Sequence, residues 1–313
     1  MSADEERPAP RVDAAAIGYD ADVDPAAASM PVSDEDLRAA AAAAAAERDA
    51  AAQDEQVRRE LARLSRRGFL TLAGGGAAAY FGWRYLISRP GENGVPWPFR
   101  RALETNQALW QGLWSPSRLA PSYPLAAAAR NPRVNGLVGL DQNADPAAWR
   151  LAVDGVAGAP LSLTLADVQA LPARELVTEL RCVEGWNIVV HWTGARLADF
   201  IARFPPLGRD GRPADPARPE TLPPFLALET PRKADGSQYY VGLDLQSALH
   251  PQTLLAWAIN GEPLSWQHGA PLRLVAPMKY GVKNLKRIGA IRYAFTRPGD
   301  FWFERGYDWY LGH

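Results

Sequence analysis

The 313-residue sequence contains one cysteine, Cys182. An internal disulfide is therefore excluded, because a bridge needs two thiols. Four histidines are present, and none shows the paired spacing with Cys182 that a zinc site requires. The lone thiol can then be a buried apolar filler, a nucleophile or a ligand of another metal.

The sequence also lacks a strongly hydrophobic run and a recognisable nucleic-acid-binding module. A modestly apolar stretch at residues 69–87 is rich in Gly and Ala, carries Arg84 and barely reaches the roughly 20 residues of a membrane-spanning helix. Basic residues are not arrayed with stacking aromatics, so nucleic acid is not expected as a partner. Residues 1–64 carry a net charge of −8 and the remainder +7, and a positive body suits an anionic ligand.

Three segments precede the domain that carries the motifs described below. Residues 1–32, rich in Asp, Ala and Pro, are predicted to be disordered, because they hold too few large apolar side chains to offset chain entropy. Residues 33–36 have the form of a capping box and predict an Ala-rich helix to about Leu64. We interpret the leader 1–64 as a solvated segment, with an interaction arm as the alternative. Residues 90–130, with two proline-rich turns, are predicted to be an irregular connector.

Residues 65–89 resemble a bacterial twin-arginine export signal. Ser65-Arg66-Arg67-Gly68-Phe69-Leu70 pairs two arginines with Phe-Leu, the form of an address that the twin-arginine export machinery reads. The resemblance implies a periplasmic protein whose residues 69–87 are a possible membrane tether. It also implies a cofactor inserted before export, since this route carries folded, cofactor-loaded proteins. A soluble helix behind a chance arginine pair is the alternative.

The domain at 131–313 is predicted to be α+β. Segments with strand patterns lie at 150–155, 176–182, 188–190, 225–229 and 272–276. Short helices are predicted at 164–171, 197–201 and 245–255, and a surface insertion at 204–224. Strands and short helices without regular alternation favour mostly antiparallel or mixed sheets.

Four motifs of this domain, in order, resemble the sulfite oxidase-type molybdopterin domain. They are Glu179-Leu180-Arg181-Cys182-Val183-Glu184-Gly185-Trp186, Leu228-Glu229-Thr230, His268-Gly269-Ala270-Pro271-Leu272-Arg273 and Lys279-Tyr280-Gly281-Val282-Lys283-Asn284-Leu285-Lys286. The similarity covers about residues 131–300. Within the sulfite oxidase family, the first and last motifs are most similar to the catalytic subunits of periplasmic methionine-sulfoxide reductases.

The resemblance assigns roles to individual residues. It implies that Cys182 is the sole protein ligand to the metal of a molybdenum-molybdopterin cofactor, and that the metal keeps the thiol deprotonated. Tyr239 and Tyr240 fall where the family has an active-site tyrosine that can donate a hydrogen bond. His268 differs from the asparagine of the reductases and agrees with the sulfite oxidases. Contacts to the pterin and its phosphate are implied for Asn135, Thr230, His268, Arg273, Asn284, Leu285 and Lys286.

The basic residues near the last motif suit a phosphate on their own chemistry. Arginine offers a fork-like contact and lysine a point charge to phosphate oxygens. A helical turn would place Lys283 and Lys286 on one face, and Lys283 is included among the cofactor contacts for that reason. A solvated basic face is the alternative. The group consists of Arg273, Lys279, Lys283, Lys286 and Arg287.

The implied activity is molybdenum-dependent oxygen-atom transfer. Electrons would be exchanged with a membrane heme protein or a soluble cytochrome, because no heme-binding module is evident. The segment 183–187, directly after Cys182, holds one acid and no cation, which favours a neutral sulfoxide-type substrate over the sulfite dianion. Sulfite oxidation with arginines from distant segments is one alternative. A binding protein that keeps the fold without the cofactor is another.

Overall fold

A computed structural model describes residues 33–313 except positions 114 and 116, so the disorder predicted for residues 1–32 lies outside the described residues. The chain divides into two units between Tyr80 and Phe81. Helix α1 spans Asp34–Ile87. The helix end expected near Leu64 is not found: the helix continues through residues 65–87, which contain several glycines but no proline. Within the described residues, no helix combines the length and apolarity needed to cross a membrane.

A small hairpin and a second helix come next. Strands β1, Gly91–Glu92, and β2, Val95–Pro96, pair antiparallel. The Asn93-Gly94 turn between them has positive φ at both residues, which is the geometry of a type I′ turn. Helix α2, Trp97–Gly112, follows directly. The predicted irregular connector at 90–130 is therefore wrong over α2, where Ala, Leu, Glu, Gln and Arg favour a helix.

The sheet that carries Cys182 is antiparallel and has five strands. Along the chain these are β5 Ala173–Arg181, β6 Asn187–Arg196, β9 Leu254–Ile259, β10 Glu262–Pro263 and β11 Arg273–Val275. Strand β6 lies between β5 and β9, and both β10 and β11 pair with β9. Because Arg181 pairs with Asn187, the tip of the β5–β6 hairpin holds Cys182.

The second five-stranded sheet is mixed. In spatial order its strands are β4 Leu161–Leu163, β3 Leu151–Asp154, β12 Ala290–Ala294, β7 Phe225–Glu229 and β8 Tyr240–Asp244. Strands β3 and β12 are parallel and the other pairs are antiparallel. The α+β class with antiparallel and mixed sheets is confirmed.

Three short helices complete the core. Helix α3, Leu165–Gln169, starts at a capping box in which Thr164 and Asp167 exchange hydrogen bonds. Helix α4, Leu197–Arg203, buries Phe200 and Ile201. Helix α5 covers Leu245–Leu249, so the helix predicted to reach residue 255 is only half right. Pro251 disfavours a helical backbone at the residue before it, and the chain resumes as strand β9.

Parts of the predicted surface insertion and of the C-terminal segment are packed into the domain. Ala214 and Leu222, inside the predicted insertion at 204–224, belong to the main hydrophobic core. The C-terminal segment buries Trp309 and Tyr310. Its backbone is anchored where Lys279 pairs with Gly312 in an isolated antiparallel bridge. The C-terminal segment thereby runs close to the last of the four motifs.

Candidate active site

A cavity of about 190 Å³ opens beside the β5–β6 hairpin. Its walls come from segments that are far apart in sequence and meet only in the folded domain. They are the loop at 132–138, the hairpin at 180–192, Tyr239, the segment 268–286, and the aromatic pair Trp302 and Tyr307. Most of the residues that the motifs single out lie in this wall.

Cys182 sits in a tight turn at the hairpin tip. Its backbone N–H donates to Trp186 O at 2.9 Å, and Gly185 N donates to Cys182 O at 3.1 Å. The thiol is buried at 8% exposure and lines the cavity. The one hydrogen-bond partner of the sulfur among the described residues is Asn135 Nδ2, at 3.6 Å. The sulfur is thus accessible from the cavity and free of strong hydrogen bonds.

Arg273 begins strand β11 and is buried against the cavity. Its Nη1 donates to His268 O at 3.1 Å, its Nη2 to Asn284 O at 3.5 Å, and its Nε has no partner in the described part of the chain. The guanidinium carbon lies 4.5 Å from the centroid of the Trp192 ring. Burial lowers the pKa of Arg273 to about 9, since no carboxylate compensates its charge.

Lys286 adds a second uncompensated cation. Its Nζ donates to Asn135 O at 2.6 Å, Gln267 O at 2.8 Å and Gly136 O at 3.0 Å. Burial, followed by repulsion from Arg273, lowers the pKa of Lys286 to about 7. All three ammonium hydrogens are used on carbonyls, so Lys286 contributes positive potential more than a free donor.

A glycine permits the close packing around Lys286. Gly269 has φ +99°, and a Cβ at this position would lie 2.7 Å from Lys286 Cβ. Next to it, burial and the charges of Arg273 and Lys286 lower the pKa of His268 to about 4. His268 is therefore neutral at physiological pH and does not add a third charge.

These residues fit a bound anion and a metal held partly by a non-protein ligand. Among the described residues lining the cavity, Glu184 is the one acid, and its Oε2 accepts from Trp186 Nε1 at 3.0 Å. Arg273 therefore presents a buried cation with an orphaned N–H, which is an arrangement suited to a phosphate. No cluster of three His, Cys, Asp or Glu occurs within the described residues, so a metal at Cys182 would need further donors from a cofactor.

Comparison with known proteins identifies the family of the chain. The profile of the oxidoreductase molybdopterin binding domain matches residues 138–302, which is more than half of the chain. The chain belongs to this family. The α+β fold and the molybdenum-molybdopterin cofactor expected from the motifs accord with this membership.

The molybdopterin-domain relatives include several named as methionine-sulfoxide reductases. The chain is 38% identical to the protein-methionine-sulfoxide reductase catalytic subunit MsrP of Xanthomonas campestris pv. campestris, over 50% of this chain and 48% of that protein. It is 31% identical to a putative protein-methionine-sulfoxide reductase subunit, YedZ1, of Azospira oryzae, over 66% of this chain and 73% of that protein. The chain spans about half the length of the MsrP relatives it matches.

The solved structures that this chain resembles include the sulfane dehydrogenase SoxCD of Paracoccus pantotrophus, with a TM-score of 0.40 and 19% sequence identity. The match covers 50% of this chain and 40% of that one.

The two candidate tyrosines lie in different places. Tyr239 lines the cavity, and its hydroxyl donates to Val282 O. Burial and the charge of Asp300 raise the pKa of Tyr239, so the hydroxyl keeps its proton. Tyr240 does not line the cavity; its hydroxyl donates to Glu304 Oε2. Of the two tyrosines, Tyr239 is the one whose position suits contact with a molecule in the cavity.

Three other residues were expected at the cofactor, and their positions differ. Thr230 Oγ1 accepts from Tyr239 N at 3.0 Å, so it holds the tyrosine rather than facing the cavity. Asn284 lines the cavity, and its Oδ1 accepts from Ala276 N at 2.7 Å. Leu285 is fully buried in the main core.

The expected shared face of Lys283 and Lys286 is wrong. The segment makes one 3-10 turn at Gly281–Lys283, and the helix does not continue to Lys286. Lys283 Nζ instead donates to Asp300 Oδ2 and Gly242 O, both at 2.7 Å. Lys279 likewise pairs with Asp244 at 3.3 Å. Of the predicted basic group, Arg273 and Lys286 are the members that reach the cavity.

Three wall residues carried no sequence signal. Trp302 and Tyr307 belong to the C-terminal segment, with ring centroids 5.2 Å apart. Arg133 lies far from Cys182 in sequence, yet its guanidinium carbon is 4.7 Å from the Trp186 ring centroid at the cavity rim. The segment directly after Cys182 has no cation, but Arg133 brings one to the cavity from another segment.

The stability of the cofactor-free protein is expected to rise with pH. The pKa of Lys286 is about 7 in the folded protein against 10.5 for an unperturbed lysine. Between these values the unfolded chain binds the extra proton, so the free energy of unfolding increases with pH across the window. Lys286→Met should flatten part of this rise, with the remainder due to Lys279, whose pKa is also lowered to about 7.

Urea unfolding between about pH 6.5 and 9.5 measures this slope. Lys233→Met is the matched control, because Lys233 lies in the turn between β7 and β8 and does not line the cavity. If the free energy of unfolding of Lys286→Met changes with pH as it does in the wild type, the charge of Lys286 is not uncompensated in the folded protein.

Proposed function

We propose that the protein is a periplasmic molybdenum-cofactor oxidoreductase that reduces a sulfoxide-type substrate. The observation that carries the proposal is the pairing, in one cavity, of the lone thiol Cys182 with the unpaired cation Arg273. A soft sulfur donor for a redox metal and a buried seat for the pterin phosphate are the two protein contributions that such a cofactor needs.

The residues of the cavity have distinct tasks in this proposal. Cys182 would ligate the metal, and Arg273 would donate its free Nε hydrogen to the phosphate, with Lys286 adding positive potential. When bound, the molybdenum cofactor supplies a metal that exchanges two electrons as an oxygen atom is gained or lost. Tyr239 Oη is kept protonated by burial, and it would donate to the substrate oxygen after releasing Val282 O.

The cavity wall favours a neutral, sulfur-containing substrate. Trp186, Trp192, Trp302 and Tyr307 line it, and sulfur makes favourable contacts with aromatic rings. The reaction balances as sulfoxide plus two protons and two electrons giving sulfide plus water. The electrons would come from a separate donor, a membrane heme protein or a soluble cytochrome. The relatives named MsrP are called catalytic subunits, which supports a partner of this kind.

The resemblance to a twin-arginine signal supports the periplasmic part of the proposal. The pair Arg66-Arg67 followed by Phe69-Leu70 has the form that the twin-arginine machinery reads. Residues 69–87 would then act as a cleaved signal or as a tether. Mass spectrometry of the exported protein distinguishes these two forms, because only cleavage removes the arginine pair.

Metal analysis and two assays on one sample test the function. Exported protein should contain near-stoichiometric molybdenum and should oxidise reduced viologen in the presence of methionine sulfoxide. A protein without molybdenum would support the rival view, a binding protein that keeps the fold but not the cofactor. Fast sulfite oxidation with ferricyanide, combined with slow sulfoxide reduction, would overturn the sulfoxide assignment.

Sulfite oxidation is the second candidate, and Arg133 is the observation that favours it. The guanidinium stacks on Trp186 and has no carboxylate within ion-pair distance among the described residues. An exposed cation at the rim can attract a dianion to the cavity.

Arg133→Gln separates the two substrates. With a neutral sulfoxide, KM is expected to change by less than about twofold, since the substrate carries no net charge for the guanidinium to attract. With sulfite as the true substrate, KM should rise about tenfold or more and depend on ionic strength. Arg130→Gln, at an exposed arginine outside the cavity wall, is the matched control. Steady-state kinetics at low and high salt give the result.

A further inference from the structure

The turn at 302–307 carries two aromatic residues of the cavity wall, and two groups of contacts hold it. Tyr307 N donates to Trp302 O at 3.0 Å, which closes the turn. Trp302 and Tyr307 lie at or beyond the end of the matched molybdopterin domain, at residue 302. The turn cannot fix itself, because it contains only a single short 3-10 turn at Phe303–Arg305.

From the core side, Asp300 holds the start of the turn. Its Oδ1 accepts from Trp302 N and Phe303 N, both at 3.1 Å. Its Oδ2 accepts from Lys283 Nζ at 2.7 Å, and the Lys283 and Asp300 side chains are both 1% exposed. Lys283, which the sequence suggested as a phosphate contact, therefore acts on the cavity through Asp300.

From the other side, Arg100 of helix α2 holds the end of the turn. Its Nη1 donates to Tyr307 O at 2.9 Å and its Nη2 to Phe303 O at 3.0 Å. The remaining donors reach Glu92 O and Asn93 O in the β1–β2 hairpin. Arg100 is 1% exposed, and burial lowers its pKa. A buried guanidinium that is satisfied by four carbonyls fixes its neighbours, because each lost hydrogen bond leaves a buried group unpaired.

Close backbone contact reinforces the Arg100 side. Gly94 has φ +84°, and a Cβ there would lie 2.6 Å from the Arg305 carbonyl carbon. Gly306 has φ +99°, and a Cβ there would lie 2.9 Å from Val95 Cγ1. The hairpin and the turn thus meet with glycine on both surfaces, and a larger residue on either would separate them.

We propose that Arg100 is a positioning residue: with the β1–β2 hairpin it clamps the 302–307 turn and so sets the shape of the cavity wall at Trp302 and Tyr307. Residues 91–112, which precede the matched domain, would then determine substrate fit without touching the substrate. Loosening the clamp should open the cavity without changing the groups at Cys182.

The single cysteine provides a readout that needs no cofactor or substrate. In cofactor-free full-length protein, the rate at which a small maleimide modifies Cys182 reports access to the cavity. Arg100→Gln should raise this rate about tenfold, because the loss of about one buried hydrogen bond makes local opening of the wall easier by that factor. Arg100→Lys, which keeps the charge but loses the fork, should give an intermediate rate. Gly306→Ala should raise the rate from the other surface of the contact.

Arg101→Gln is the matched control for Arg100→Gln. Arg101 is the next residue of α2, its side chain is 55% exposed, and it pairs with Glu92 and Glu104 on the surface. The rate of Cys182 modification in Arg101→Gln should stay at the wild-type value. Melting temperatures measured alongside show whether a variant is folded, and the rates are compared only below the onset of unfolding.

Kinetics of the loaded enzyme add a second measurement, which rests on the proposed function. Arg100→Lys should raise the KM for methionine sulfoxide several-fold with little change in kcat, because the wall binds substrate and does not react. Wild-type modification rates in folded Arg100→Gln and Gly306→Ala would overturn the clamp. If the wild-type enzyme fails to reduce any sulfoxide, the proposed function is lost, and the modification rates still decide the clamp.

Discussion

Replacing Cys182 with serine is expected to abolish molybdenum retention and reduce turnover by more than about 100-fold. Substitution of groups that merely orient metal ligands already costs about 10- to 100-fold, and loss of the ligand itself should exceed that. The fold should survive, because the thiol has one weak partner, Asn135 Nδ2 at 3.6 Å, which a serine hydroxyl can also satisfy. Metal content, turnover and urea unfolding of the variant give the three results.

Cys182→Ala separates a ligand from a buried filler. If the thiol only fills space, serine and alanine should alter the stability of the cofactor-free protein and leave the metal content unchanged. If it ligates the metal, both variants should lose the metal alike. A serine variant with full molybdenum content would contradict the role proposed for Cys182.

Arg273→Met is expected to separate stability from cofactor binding. The charge of Arg273 is buried with no carboxylate partner, so replacing it with an apolar side chain of similar length should change the free energy of unfolding of the cofactor-free protein by less than about 1 kcal/mol, or increase it. The charge-assisted hydrogen bond from Nε to a phosphate, at about 1.5 to 3 kcal/mol, would be lost. Cofactor affinity should therefore fall by about 10- to 100-fold.

Arg196→Met is the matched control for Arg273→Met. Arg196 ends strand β6 of the same sheet, and its guanidinium makes two hydrogen bonds to Asp199, at 2.7 and 2.8 Å. Its loss should lower stability slightly and leave cofactor retention at the wild-type value. A strongly destabilised Arg273→Met protein that still holds its cofactor would show that Arg273 is structural. Thermal unfolding and metal content of both variants are the measurements.

Local sequence patterns predicted the sheet domain well where alternation is strong. Val153 and Val168 lie buried in the elements expected of them, because their neighbours have a clear period. Hydrophobic periodicity predicted less well where a proline or helix propensity, and not alternation, determines the local structure. The helix predicted at 245–255 ends at Leu249, because Pro251 disfavours a helical backbone before it and the chain continues as strand β9. Helix α2 is not predicted, because Pro96 and Pro98 at its start favour an irregular connector.

For the candidate site, short sequence patterns predicted some of the residues and not the contacts between distant segments. Short motifs pointed to Cys182 and Arg273, because a recognisable run of residue types surrounds each of them in the sequence. Burial partners were not predictable, so Lys283 was grouped with Lys286 although its ammonium faces Asp300. Trp302 and Arg133 reach the cavity from segments remote in sequence, and only the tertiary fold brings them there. Tyr239 could be chosen over Tyr240 only once the direction of each side chain was known.

The parallel pairing of β3 with β12 bears on when the cavity can form. It joins Ala152 to Ala290, so a strand near the start of the domain waits for one near its end. Contacts this distant form only after a long loop has closed, and topologies that depend on them fold slowly. Arg273 and Trp302 come late in the chain, on either side of β12. A cofactor that reaches the protein during synthesis would meet an incomplete cavity, so insertion is expected to follow the last strand-pairing step of folding.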